Sequence, residues 1–165
     1  METYHGDPAT KTVLVERCQA HEAAGRQLRG EYWTGVGGCA IGMMGTPTDA
    51  LDMTEHLMGD ELRSVIESRF GLPARLLFAI EGLYEHMDPL ASRNFTSKVA
   101  EAIPVGVDLT SQMVTAWACT SSDVADRAAA ELLEWLRSLK PTRRYRLRHA
   151  LSRPMRDIHR APARF

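Results

Sequence analysis

Apolar side chains recur at steps of three and four along most of this chain, and proline or glycine interrupts the pattern before any run grows long. That spacing turns one greasy stripe of a helix toward a common core and leaves little that could alternate as a strand. From Lys11 to Tyr32 the stripe reads Leu14, Cys18, His21, Ala24, Leu28 and Tyr32, with Glu16, Arg17, Glu22, Arg26 and Arg29 on the opposite face. Thr46-Pro47 has the form of a helix cap followed by proline at the first helical position, and predicts a short helix to about Met58. Leu62, Val65, Ile66 and Phe70 mark the next helix, ended by Gly71. After Pro73 comes a wider stripe of Leu76, Leu77, Ile80, Leu83, Tyr84 and Met87, as expected of a central helix.

Asp88-Pro89 repeats the cap-plus-proline device ahead of Phe95, Val99 and Ile103. Pro104-Val105-Gly106-Val107 breaks the chain, and Asp108 or Thr110 is placed to cap a helix bearing Met113, Val114 and Trp117. A turn at Thr120 to Ser122 precedes the longest late helix, Asp123 to Leu139, with Val124, Ala128, Leu132, Trp135, Leu136 and Leu139 aligned and Pro141 as its stop. The expectation is an all-α bundle of about six to seven short helices, with no internal repeat. At 165 residues it fits one domain, needing neither disulfide nor metal to stay folded.

The three cysteines, Cys18, Cys39 and Cys119, are odd in number and widely spaced, which argues for reduced thiols and a cytoplasmic protein. Neither a signal peptide nor a membrane span is expected. The small net charge of −1 conceals a strong division: residues 1–140 sum to −8 and residues 141–165, with eight arginines and one aspartate, to +7. The division predicts an acidic helical domain, 1–140, and a basic tail, 141–165. Such a tail either meets a polyanion or folds back on its own acidic body.

Within the tail, Arg143, Arg144, Tyr145, Arg146, Arg148, Arg153, Arg156 and Arg160 are the candidate binding residues. Guanidinium groups pair bidentately with phosphate or carboxylate, and Tyr145 is suited to stack on a base. The competing arrangement is a terminal helix docked through Leu147, Ala150 and Leu151. Arg144-x4-His149 and Arg153-x5-His159 also resemble the R-x4–6-H pattern of the all-helical HEPN ribonucleases, which implies paired Arg and His acting on RNA. Tyr145 and Pro154 stand where that family favours a polar residue.

The second candidate region is the glycine-rich stretch Trp33 to Gly42, too flexible for a helix interior and read as a loop. Gly35-Val36-Gly37-Gly38-Cys39-Ala40 matches the dinucleotide fingerprint in form, but the chain before it has helical rather than strand character. Trp33, Gly35, Gly37, Gly38 and Cys39 are retained as a possible functional loop, the glycines serving close backbone approach or positive φ. Cys39 would be an activated thiol only with a helix starting behind it and a base, His21 or His56, beside it. Cys18, His21, Cys39 and His56 would make a tetrahedral metal set, at separations matching no familiar zinc pattern. Core packing is the simpler account of both, and no metal or cofactor is expected.

Arg29-Gly30-Glu31-Tyr32-Trp33-Thr34-Gly35-Val36-Gly37-Gly38-Cys39-Ala40-Ile41-Gly42 resembles an R/K-G-x-Y-W-x-G-x-x-G-C-A-V-G signature of small proteins from bacteria and their phages. Phe70-Gly71-Leu72-Pro73 and Ile103-Pro104-Val105-Gly106-Val107-Asp108-Leu109 look like that group's two later elements, so the likeness spans about residues 21–110. It implies a bacterial or phage origin and carries no activity with it. The second cysteine many such proteins have near Met43 is missing here, which weakens the case for paired-thiol chemistry.

The expected function is therefore a non-catalytic binding or regulatory protein that engages nucleic acid or an acidic protein surface through its tail. The alternatives are a ribonuclease using Arg144 and His149, a thiol enzyme using Cys39, or a phage inhibitor acting purely by protein contact.

Overall fold

The structure is a computed structural model and describes residues 1–48, 59–110 and 122–146. Its described residues form six α-helices, α1 (Pro8–Ala23), α2 (Ala40–Gly45), α3 (Gly59–Phe70), α4 (Ala74–His86), α5 (Phe95–Ala102) and α6 (Ser122–Ser138). Two single 3-10 turns, Thr3–Gly6 and Ala91–Asn94, complete the order. No sheet forms among the described residues; strand character is limited to two isolated bridges, Glu2 with Asp108 and Gln27 with Gly38. The all-α architecture read from the periodicity is what the chain adopts. Among the described residues no helix is long and apolar enough to cross a membrane.

The hub is α2, whose six residues Ala40 to Gly45 are all buried. It touches α1, α3, α4 and α5, while α1 lies on α5 and α6 closes the bundle against α4 and α5. A helix apolar on every side must sit at the centre, but its end carbonyls then lose water and need donors from elsewhere. Helix α1 supplies them. Arg17 Nη1 donates to Met44 O at 3.0 Å and Gly45 O at 3.3 Å, and His21 Nε2 donates to Thr46 O at 2.9 Å. Arg17, expected on the solvent face, is only 6% exposed. The spacing was sound for Leu14, Cys18 and His21, which are buried, but this cation is drawn inward by the carbonyls it satisfies.

The first helix also ends earlier than its periodicity suggests. Gly25 takes φ +66°, with Gly25 N–H donating to Glu22 O and Arg26 N–H to His21 O. Those two bonds are the paired closure of a helix ended by a left-handed glycine. Leu28 and Tyr32 therefore lie outside the helix, on a compact loop. Elsewhere the sequence reading fits closely. Pro73 precedes α4, whose stripe is buried from Leu76 to Met87. Asp88 Oδ1 accepts from Leu90 N–H and Ala91 N–H, opening the turn into α5. Val65 is the exception on α3, exposed while Leu62, Ile66 and Phe70 are buried.

Two helix expectations, one after Thr46-Pro47 and one bearing Met113 to Trp117, fall outside the described residues. Within them, Thr46 closes α2 and its buried hydroxyl has no hydrogen-bond partner, so it does not act as the expected cap.

The loop between α1 and α2 owes its path to missing side chains. A Cβ on Gly42 would stand 1.5 Å from Tyr32 O, and one on Gly38 would stand 1.9 Å from it. Gly42→Ala is expected to destabilise the fold by about 3 kcal/mol or more, because backbone rather than a movable side chain blocks the methyl. Gly82→Ala, in α4 with nothing within 4 Å of its Cβ, should instead stabilise by up to about 1 kcal/mol. Urea unfolding of both variants checks the pair; equal and small effects would contradict the close approach.

Burial lowers the His21 pKa, opposed by its bond to Thr46 O and reinforced by Arg26 and Arg17. The native state therefore holds this imidazole neutral, while the unfolded chain takes up a proton near pH 6.5. Stability should be full above that pH and decline as pH falls below it. Urea midpoints between pH 7.5 and 5.5 test this, and His21→Gln, which can keep the bond to Thr46, should show a smaller decline than wild type.

Candidate functional sites: the glycine loop and the root of the basic tail

Residues 26–39 fold as a compact loop whose two ends pair: Leu28 N–H donates to Gly38 O and Gly38 N–H to Arg26 O, both at 2.9 Å. At its tip Thr34 N–H donates to Gly37 O, Gly35 takes φ +88° and Val36 stands in solvent. Trp33 turns the other way, into the core, where its ring meets the His21 ring edge-on at a 5.0 Å centroid distance. Its indole N–H is buried without a hydrogen-bond partner. Of the five loop candidates, Trp33, Gly37, Gly38 and Cys39 are therefore buried, while Gly35 lies at the more open turn. The segment ends sooner than the sequence reading placed it, since Ala40 already begins α2. No strand precedes the glycines, as a dinucleotide fingerprint requires; Gly37 and Gly38 are spent on close approach to Arg26 O and Tyr32 O.

One small recess opens beside this loop, about 180 Å³ in volume and lined by Gly30, Glu31, Tyr32, Cys39, Glu81 and Glu85. Glu81 and Glu85 lie one turn apart on α4, so both carboxylates face the loop. Glu85 Oε2 accepts from Gly30 N–H at 2.8 Å. Glu81 is paired with Arg63, whose second amine reaches Asp60 Oδ1 at 2.7 Å. The Arg63 guanidinium also lies 4.0 Å from the Phe78 ring centre and 5.6 Å from that of Tyr32. Hydrogen bonding to Glu81 raises the Tyr32 pKa, with Arg63 acting against it. A recess walled by carboxylates repels phosphate, so it offers no cradle for a nucleotide. The sequence reading missed Arg63, Glu81 and Glu85; only the four-residue spacing of the glutamates hinted at a shared face.

Cys39 sits at the start of α2, as an activated thiol would, but is 1% exposed. Burial pushes its thiol up to about 11, assisted by the charges of Glu85 and Glu81 and opposed by the amides of Gly42 and Ile41. Cys18 is shifted upward by burial as well. His21 keeps company with Thr46, Arg26 and Trp33, whereas Cys39 faces the two glutamates, so among the described residues no imidazole stands beside the thiol. Among the described residues no group of three or more His, Cys, Asp or Glu is arranged to hold a metal. His56 and Cys119 lie outside the described residues.

The basic tail is described through Arg146. Thr142 starts one helical turn: Tyr145 N–H donates to Thr142 Oγ1 at 3.0 Å and Arg146 N–H to Thr142 O. The same residue ties the tail to the body, Thr142 N–H donating to Gly106 O at 2.8 Å and its hydroxyl to Glu2 Oε1 at 2.7 Å. Tyr145 lies over Gly106, where a Cβ would come 2.2 Å from the ring. Arg143, Arg144 and Arg146 are exposed, and none pairs with a carboxylate among the described residues. Tyr145, expected to offer its face to a ligand, is half-buried, with its ring over Gly106. Arg148, His149, Arg153, Arg156, His159 and Arg160 lie outside the described residues, as do Leu147, Ala150 and Leu151.

Comparison of the chain with protein-family models, with curated proteins and with solved structures finds no match. The geometry of the two regions is thus the guide to chemistry. Cys39 should react with iodoacetamide at pH 7.5 at least tenfold more slowly than a free thiol, measured by peptide mapping, because its thiolate fraction is small and its sulfur covered. Labelling at the free-thiol rate would overturn this description of the site.

Proposed function

We propose that this chain is a non-catalytic binding protein whose arginine-rich tail, from Arg143 onward, grips the phosphate backbone of a nucleic acid. The observation that carries the reading is the way the tail is attached. Its root is held by Thr142 and Tyr145, through hydrogen bonds and ring packing, rather than by its cations. Arg143, Arg144 and Arg146 are thereby left in solvent, although the body they spring from is strongly acidic. Were the tail a self-docking arm, those guanidinium groups would be the natural partners of the body's carboxylates.

The acidic body contributes by its charge. Its net negative charge disfavours a polyanion on the body, so approach by way of the tail is preferred. An acidic protein surface would be recognised by the same guanidinium groups, and the test separates the two. Nucleic acid is preferred because eight arginines within 25 residues match closely spaced, regularly repeated anions. Origin in a bacterium or phage, and a place in the cytoplasm, belong to the same proposal.

The test is a salt titration with a labelled single-stranded oligonucleotide, read by fluorescence anisotropy. The log of affinity should fall linearly with the log of salt, with a slope of about −0.7 for each phosphate engaged. Removing residues 141–165 should abolish binding, and the triple change R143Q/R144Q/R146Q should flatten the slope by about 2. Absence of binding at low salt, or unchanged binding after the deletion, would sink the nucleic-acid reading in favour of a protein partner. Cleavage of an RNA probe that is lost in His149→Ala would replace it with the ribonuclease.

A further inference from the structure

The root of the tail does not rest on an ordinary surface. It rests on the most constrained backbone of the described chain. Tyr4 and His5 both take φ +52°, followed by Gly6 at +71°, so three successive residues occupy the left-handed region that costs side-chain-bearing residues free energy. Neighbours over-determine that turn: Tyr4 Oη donates to Ala100 O at 2.7 Å, and His5 Nε2 donates to Ser68 O at 2.9 Å.

Thr3, at the start of the same turn, is stitched to the segment after α5. Thr3 N–H donates to Val107 O, Gly106 N–H to Thr3 O, Val107 N–H to Thr3 Oγ1, and Thr3 Oγ1 to Pro104 O. Thr142 then joins both partners at once, Gly106 through its amide and Glu2 through its hydroxyl. Three stretches far apart in sequence, 1–7, 104–108 and 141–146, therefore share one continuous set of hydrogen bonds, with the Tyr145 ring closing it over Gly106.

We propose that this junction is a latch: a local unit that opens and closes as one, so that the hold on the tail root and the shape of the N-terminal turn are coupled. The strain in Tyr4 and His5 is relieved on opening, which offsets part of the cost of breaking the bonds that hold the turn. Closed, the latch fixes Arg143, Arg144 and Arg146 at one edge of the body. Open, it frees residues 141–146 from the body. Its meaning for binding rests on the polyanion reading above: a ligand that prefers the fixed arginines must also quiet the N-terminal turn, because coupling between two parts of one equilibrium is reciprocal.

Residue-resolved amide hydrogen exchange on the full chain tests the latch without any ligand. Thr142→Val removes the hydroxyl that reaches Glu2. Tyr145→Ala removes the ring over Gly106 and leaves the Thr142 side chain intact. Both should speed exchange at Thr3 and Gly106 at least tenfold, together with Arg146, while amides within α4 keep wild-type rates. Acceleration confined to the tail would overturn the latch, since the two ends would then move independently. Equal acceleration everywhere, α4 included, would overturn it too, because no separate unit would exist.

A second arm adds a 20-nucleotide single strand at low salt to wild type. Slowed exchange at Thr3 and Gly106 supports the coupling to binding, and binding that leaves those amides unchanged overturns it. Failure of the strand to bind would count against the polyanion reading alone, with the two variants still deciding the latch.

Discussion

The bundle depends on burying both ends of a six-residue helix. Most helices leave their terminal groups to water, but α2 lies among α1, α3, α4 and α5 and has none to use. A buried carbonyl without a donor costs about 1–3 kcal/mol. The charged and polar groups of α1, Arg17 and His21, remove that penalty at one end, and the loop from residue 26 to 39 passes tightly over the other. The position of Arg17 in turn is secured by the Phe70 ring, 5.3 Å from its guanidinium carbon, so the hub, α1 and the end of α3 are held by one cation.

Helix identity could be read from the sequence wherever apolar periodicity and punctuation agreed, as in α4 between Pro73 and Met87 or α5 after Asp88-Pro89. It failed where the two disagreed. The stripe from Leu14 runs in register through Leu28 and Tyr32, yet Gly25 takes a left-handed conformation that ends the helix at once. Spacing counts side chains, whereas a helix is ended by one backbone torsion. Helix α2 was hidden for the opposite reason. Ala40-Ile41-Gly42-Met43-Met44-Gly45 has no polar face to reveal a period, and its glycines resemble a loop until tertiary contact gives them a purpose.

The candidate sites were legible to different degrees. Exposed arginines at 143, 144 and 146 follow from composition and position. The side role of Tyr145 does not, because nothing near it in sequence shows that Gly106 offers a flat seat 39 residues earlier. The recess beside Cys39 depends on Glu81, Glu85 and Arg63, all on helices distant from the loop in sequence. Placing them needs the packing of α3 and α4, which a one-dimensional pattern does not contain.

Phe78 illustrates how little exposure alone says about tolerance in this molecule. Its ring is 53% open to solvent, and a survey of surface residues would treat it as replaceable. Yet it roofs the Arg63 guanidinium, which is bonded below to Glu81 and Asp60. An aromatic plane over an ion pair keeps water out from above and so strengthens the attraction beneath it. The outer face of the bundle thus carries an aromatic cover over the Arg63 guanidinium, so an exposed ring there has a partner beneath it that exposure alone does not reveal.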